Sequence, residues 1–134
     1  DTDIVSLAQT GTGKTAAFGF PMLQKIDAKS RTTQGLILSP TRELCLQITQ
    51  EIKNYAKHLK GMNVVAIYGG ASITDQARAV KKGAQILVAS TKSPTCCHFL
   101  LKILSGITLK LKNITPKNNH SGIHFISFCK KIIF

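Results

Sequence analysis

Apolar residues along this chain fall into short unbroken runs, separated by stretches in which they recur every three or four positions. Asp3-Ile4-Val5-Ser6-Leu7-Ala8 reads as a short strand with β-branched residues. Thr15-Ala16-Ala17-Phe18 continues as a helix that starts at Lys14, and Pro21, lacking a backbone donor, is expected to kink or shorten it. Gly35-Leu36-Ile37-Leu38-Ser39 has the pattern of a buried strand. Pro40-Thr41 then opens a helix with Glu43 in its first turn, where an acid is favoured. Leu44, Ile48, Ile52, Tyr55 and Leu59 mark one apolar face of that helix, and Lys57, Lys60 and Gly61 end it. Asn63 to Tyr68 is a third strand, Gly69-Gly70 a turn, Ser72 to Lys82 a shorter helix closed by Gly83, and Gln85 to Ala89 a further buried strand. Strands alternating with helices, the strands apolar on both sides, predict an α/β domain with a mostly parallel sheet flanked by helices.

Between the first strand and the first helix lies Ala8-Gln9-Thr10-Gly11-Thr12-Gly13-Lys14-Thr15. A glycine-rich turn in that position aims several backbone N–H groups into one small space, and the positive end of the helix dipole adds to them. The pattern is that of a phosphate-binding loop, with Ala8 where the first Gly usually stands. Lys14 reaches the β- and γ-phosphates of a nucleoside triphosphate in such a loop, and the Thr15 hydroxyl ligates Mg²⁺. The alternative is a plain Gly/Thr turn before a helix, against which the strand and helix patterns on either side weigh. In a parallel sheet the loop is expected at the carboxyl end of its strand.

The net charge of +12 sharpens the reading. Residues 1–75 hold 8 Lys and Arg against 6 Asp and Glu, and residues 76–134 hold 10 against none. A basic balance favours a polyanion, nucleic acid first, unless the excess only reflects an unusual C-terminal third. The four cysteines make no disulfide framework, and a reducing compartment, cytoplasmic or nuclear, is expected. Cys45 is expected in mid-helix. Cys96, Cys97, His98, His120 and Cys129 lack the spacing of a zinc site, since adjacent cysteines do not share one metal. No uncharged apolar run reaches the ~18 residues of a membrane span. The start at Asp1, entering a strand almost at once, is read as a fragment or a trimmed front.

Taken in order, Ala8–Thr15 (AQTGTGKT), Pro40–Leu44 (PTREL), Tyr68-Gly69-Gly70 (YGG) and the strand Ile86-Leu87-Val88-Ala89 form a series that resembles the first RecA-like domain of DEAD-box RNA helicases. The close resemblance covers residues 1 to about 90. It implies a RecA-like P-loop NTPase domain that binds ATP and Mg²⁺ through Gly11, Gly13, Lys14 and Thr15, with Ala8, Gln9, Thr10 and Thr12 completing the loop and Lys14 and Thr15 in the catalytic roles. It also implies that Pro40, Thr41, Arg42 and Glu43 contact the RNA sugar-phosphate backbone without reading bases, and that Gly69 and Gly70 let the strand come close. Arg42 at a helix start suits a phosphate on physical grounds as well, its alternative being a surface salt bridge with a nearby acid. Unwinding by the family requires a second RecA-like domain.

The resemblance then breaks off. Ser90-Thr91-Lys92-Ser93-Pro94 stands where the family has Thr-Pro-Gly-Arg. Phe99 to Leu104 and Thr108 to Ile114 still vaguely follow the family's next helix and loop, so that a partial ATP-binding domain is expected over residues 1–114, incomplete at its C-terminal end, and a divergent basic and apolar tail over 115–134. No Asp or Glu follows Asp75, so the Asp-Glu-Ala-Asp motif is absent, and with it the groups that order Mg²⁺ and the attacking water. ATP binding with severely impaired hydrolysis is the expectation. Beside an ATP-dependent RNA helicase domain stand two alternatives: a catalytically inactive nucleotide- and RNA-binding fragment, and a non-functional truncated product. The tail, in which Ile123, Phe125 and Ser127 alternate with His124, Ile126 and Phe128, reads as truncated, frame-shifted or non-coding sequence, or else as an RNA-binding tail with Phe125 and Phe128 as stacking platforms.

Overall fold

A computed structural model describes residues 4–9 and 11–92. Its elements are α1 (Lys14–Lys25), β1 (Gly35–Ser39), α2 (Arg42–Tyr55), a 3-10 turn (Ala56–His58), β2 (Val64–Ile67), α3 (Ile73–Lys81) and β3 (Ile86–Ser90). The three strands form a parallel sheet in the order β1-β3-β2. The last of the described strands therefore lies in the middle. In register, Ser39 faces Ser90 on one side of β3, and Ile67 faces Ala89 on the other.

Period-two geometry explains why these strands are apolar up to the serines that end β1 and β3. Successive side chains point to opposite faces, so a strand covered on both sides has few polar positions to spare. Ile37, Val64, Ile86 and Val88 pack on one face with Met22 and Leu23 of α1 and Cys45, Ile48 and Ile52 of α2. Leu36, Val65, Ile67, Leu87 and Ala89 pack on the other with Ala84 and, from α3, Ala79 and Val80. All five residues of β3 are buried, as its central place requires.

Four expectations need correction. Residues 4–8 form no strand, and Asp3 lies outside the described residues. Ile4, Val5 and Leu7 are 82%, 93% and 99% exposed, so the segment has the composition of a strand without a neighbour to complete its ladder. Helix α1 runs through Pro21 for four more residues. Pro21 and Ala17, four residues before it, are both exposed, so water can serve the carbonyl that proline leaves without a donor. Cys45 lies in the first turn of α2 rather than its middle. Leu59 falls outside α2, which tightens to a 3-10 turn after Tyr55, and it is exposed.

Two residues that no motif singles out hold the frame. Gly19 lets α1 and α2 approach, since a Cβ there would stand 2.7 Å from Ile52 Cδ1 and 3.5 Å from Tyr55 Cδ2. Beside this contact the rings of Phe20 and Tyr55 lie 4.8 Å apart between centroids. Ile52 is fully buried and has little room to retreat. Gly19→Val is expected to cost about 1–3 kcal/mol through overpacking, read as a lower urea midpoint with an unchanged m-value. The second residue is Gln85, buried just before β3. Its Oε1 accepts from the Asn63 N–H at 2.8 Å, and its Nε2 donates to the carbonyls of Ser30 (2.7 Å), Ala28 (3.2 Å) and Gly61 (3.3 Å). One side chain thus joins the loops that lead into β1, β2 and β3.

Candidate nucleotide and RNA site

The glycine-rich loop owes its shape to its own sequence. Gly11 and Gly13 have φ of +79° and +76°, a left-handed conformation that glycine adopts without strain. Gly13 is also the N-cap of α1, and no side chain caps it. The first N–H groups of α1 therefore have no side-chain acceptor at the cap, the arrangement an anion completes. The Thr12 hydroxyl donates to the Gln9 carbonyl at 2.8 Å, and the Lys14 ammonium arches back to the Ala8 carbonyl at 2.8 Å. Lys14 and Thr15 occupy the first two helical positions, side by side at the open end. Thr10 lies outside the described residues.

The second group of residues gathers at the carboxyl end of the sheet. The Ser39 hydroxyl, at the end of β1, donates to the Thr41 carbonyl at 3.1 Å and the Ala89 carbonyl at 3.4 Å. The Thr91 N–H donates to the Ser39 carbonyl at 2.9 Å. These bonds fix the exit from β1, and Thr41 then caps α2 by accepting from the Leu44 N–H at 3.2 Å. Arg42 becomes the first residue of α2, with Glu43 behind it, both exposed. Two strand spacings, about 10 Å, separate β1 from β2. The Arg42 side chain nonetheless reaches the turn after β2. Its Cζ stands 4.8 Å from the Tyr68 ring centroid, and a Cβ on Gly70 would lie 3.2 Å from its terminal nitrogen. Gly70 has φ of +82°. Of the double glycine only this one needs the left-handed region. The guanidinium lies over a ring, and among the described residues it forms no ion pair; Arg78 pairs with Asp75 at 2.9 Å on exposed α3.

Cys45 sits one turn below Arg42 and takes no part in this chemistry. Its thiol donates to the Val88 carbonyl at 3.2 Å, and burial pushes its pKa above the ordinary thiol value. Among the described residues no group of His, Cys, Asp and Glu forms a metal cluster. Cys96, Cys97, His98, His120, Cys129 and the aromatic residues of the tail lie outside the described residues. No described helix is long and apolar enough to cross a membrane.

The structure brings Thr41, Arg42 and Gly70 together, with Pro40 and Gly69 in the same two turns. Two residues around them carried no role in the sequence reading. Tyr68 was legible only as the neighbour of a double glycine. Gln76, whose side chain bonds both the N–H and the carbonyl of Tyr68 at 3.0 and 3.1 Å, gave no signal at all.

Loops gathered beyond the carboxyl ends of parallel strands are where open α/β domains bind their ligands, and a glycine-rich turn opening a helix is a feature that many phosphate binders share. The profile of the family described as DEAD/DEAH box helicase matches residues 1–114, and the chain belongs to that family. It is 51% identical over 89 residues to the ATP-dependent RNA helicase DeaD of Mycobacterium tuberculosis, covering 66% of this chain and 16% of that protein. It is likewise 51% identical over 114 residues to the ATP-dependent RNA helicase CshA of Listeria monocytogenes, covering 84% of this chain and 20% of that protein. Among solved structures it resembles the yeast DEAD-box splicing factor Prp28, with a TM-score of 0.61, 31% identity, and coverage of 72% of this chain and 24% of that one. The RNA helicase Prp28 of Chaetomium thermophilum bound to ADP is similar at a TM-score of 0.54 and 46% identity, over 62% and 21% of the two chains. The fold is that of the RecA-like domains of these helicases. The chain spans a fifth or less of the length of the curated relatives named.

Proposed function

We propose that this chain is the ATP- and RNA-binding part of a DEAD-box RNA helicase, organised as a partial domain over residues 1–114 followed by a divergent tail. Mg²⁺-ATP is held by the loop Ala8–Thr15, with the backbone N–H groups from Gly11 to Thr15 and the Lys14 ammonium on the phosphates and the Thr15 hydroxyl on the metal. The residues fit that group: two left-handed glycines, an uncapped helix start and a lysine and a hydroxyl side by side. When bound, the nucleotide supplies the phosphoanhydride energy that drives remodelling in a complete helicase. RNA is held through its backbone by Pro40, Thr41, Arg42 and Glu43, with Gly69 and Gly70 leaving room for it. The observation that carries the RNA half is the convergence of Arg42 and Gly70 from two strands that do not touch.

The lack of any Asp or Glu after Asp75 supports a narrower reading of the chain taken alone, as a binding unit with little turnover. A cytoplasmic or nuclear setting and a second RecA-like domain complete the proposal. Arg42→Ala tests it. Affinity for single-stranded RNA of any sequence is expected to fall by about three- to tenfold, and the slope of log K against log salt to shrink by about 0.7 to 1. Fluorescence anisotropy across a salt series reads both. A loss confined to one RNA sequence contradicts a backbone contact.

A further inference from the structure

We infer that Tyr68 is a positioning residue for RNA binding, holding the Arg42 guanidinium in place before RNA arrives; the inference rests on the reading of Arg42 as an RNA contact. Arg42 is an exposed, long side chain at a helix start, and fixing such a chain on binding costs rotamer entropy. The structure seats it against the turn after β2. The Arg42 Cζ lies over the half-buried Tyr68 ring, 4.8 Å from its centroid, and Gly70 leaves room beside the terminal nitrogen, which a Cβ there would meet at 3.2 Å. A ring on one flat face leaves the N–H groups at the edge of the guanidinium available to a phosphate.

Tyr68 is itself held, although it lies one residue beyond the end of β2. Gln76 of α3 acts there as a substitute for a neighbouring strand. Its Oε1 accepts from the Tyr68 N–H at 3.0 Å, and its Nε2 donates to the Tyr68 carbonyl at 3.1 Å and to the Ala71 carbonyl at 3.5 Å. Both backbone groups of Tyr68 and the far end of the Gly69-Gly70 turn are thereby tied to one side chain. The chain of contacts runs from α3 through the turn to α2, and its last member is the arginine.

The test is a double-mutant cycle on the full chain, read as anisotropy of a labelled oligouridylate with Mg²⁺ and a non-hydrolysable ATP analogue. Tyr68→Leu, which keeps apolar bulk and loses the ring, is expected to weaken binding about two- to fivefold. Tyr68→Phe, which keeps the ring, is expected to match the parent. In the Arg42→Ala background Tyr68→Leu is expected to change nothing further. An equal loss with Leu in both backgrounds, or no loss with Leu while Arg42→Ala still weakens binding, overturns the inference and leaves the RNA reading standing. Unchanged affinity in Arg42→Ala overturns the RNA reading and the inference with it. Should Tyr68→Leu fail to fold, the parent chain decides. Ring current from Tyr68 is expected to move the Arg42 side-chain protons upfield of those of Arg78, and coincident shifts refute the stack.

Discussion

Replacing Lys14 by alanine is expected to lower the affinity for Mg²⁺-ATP by about 10- to 100-fold while leaving the melting temperature nearly unchanged. A charge-assisted hydrogen bond to phosphate contributes about 1.5–3 kcal/mol. Within the protein Lys14 gives up much less, because its ammonium bonds a single exposed carbonyl, that of Ala8. That contact keeps the side chain folded over the loop, so on binding the ammonium has to exchange one acceptor for another over a short path. Calorimetric titration of the two proteins gives the ratio directly, and a melt of each shows whether the fold has been spared. An unchanged affinity removes Lys14 from the site.

The opposite pattern is expected of Gln85→Leu, which should destabilise the fold by about 2–4 kcal/mol. Leucine fills the space but leaves the Asn63 N–H without its 2.8 Å acceptor and the carbonyls of Ser30, Ala28 and Gly61 without their shared donor. Part-buried backbone groups so abandoned cost more than the hydrogen bonds nominally contribute. Since Gln85 bonds Ala28 and Ser30, just past the C-terminal end of α1, and the loop Ala8–Thr15 lies at the other end of that helix, whatever chain remains folded should bind nucleotide as the parent does. Urea unfolding followed by circular dichroism measures the loss. A change below 0.5 kcal/mol, the ordinary range of a surface substitution, contradicts the hub role.

The two variants separate what the sequence makes legible from what it does not. Strands β1 and β3 and the start of α2 could be read from the chain, because unbroken apolar runs and a Thr N-cap followed by an acid are local signals. The shape of the loop from Gly11 to Lys14 was legible for the same reason, since two left-handed glycines and the start of α1 are set within a few residues. The order of the strands was not. Parallel strands joined by helices give no local hint of which neighbour each will take, and β3 enters between two strands that precede it. The run from Asp3 to Ala8 misled because strand composition is a statement about burial against neighbours, and the described part of that run is exposed. Gln85 and Gln76 look like any polar residue near an element end. Their importance lies in partners 22 to 57 and 5 to 8 residues away, which only the folded chain reveals. The contact of Arg42 with Tyr68 is of the same kind. Each motif was visible alone, and the fact that an arginine from one spans to the turn of the other was not.

Central to the proposed function is the loop from Ala8 to Thr15, enclosing the phosphates of a nucleotide at the start of α1. Titration of the ¹⁵N-labelled chain with Mg²⁺-ATP, followed at the backbone amides, tests this most directly. The expected result is a saturable displacement of the Gly11, Thr12, Gly13, Lys14 and Thr15 signals, reversed when EDTA removes the metal and diminished in Lys14→Ala. Signals of these five residues that stay in place at saturating nucleotide, or that move less than those at the amino end of the sheet, would contradict it.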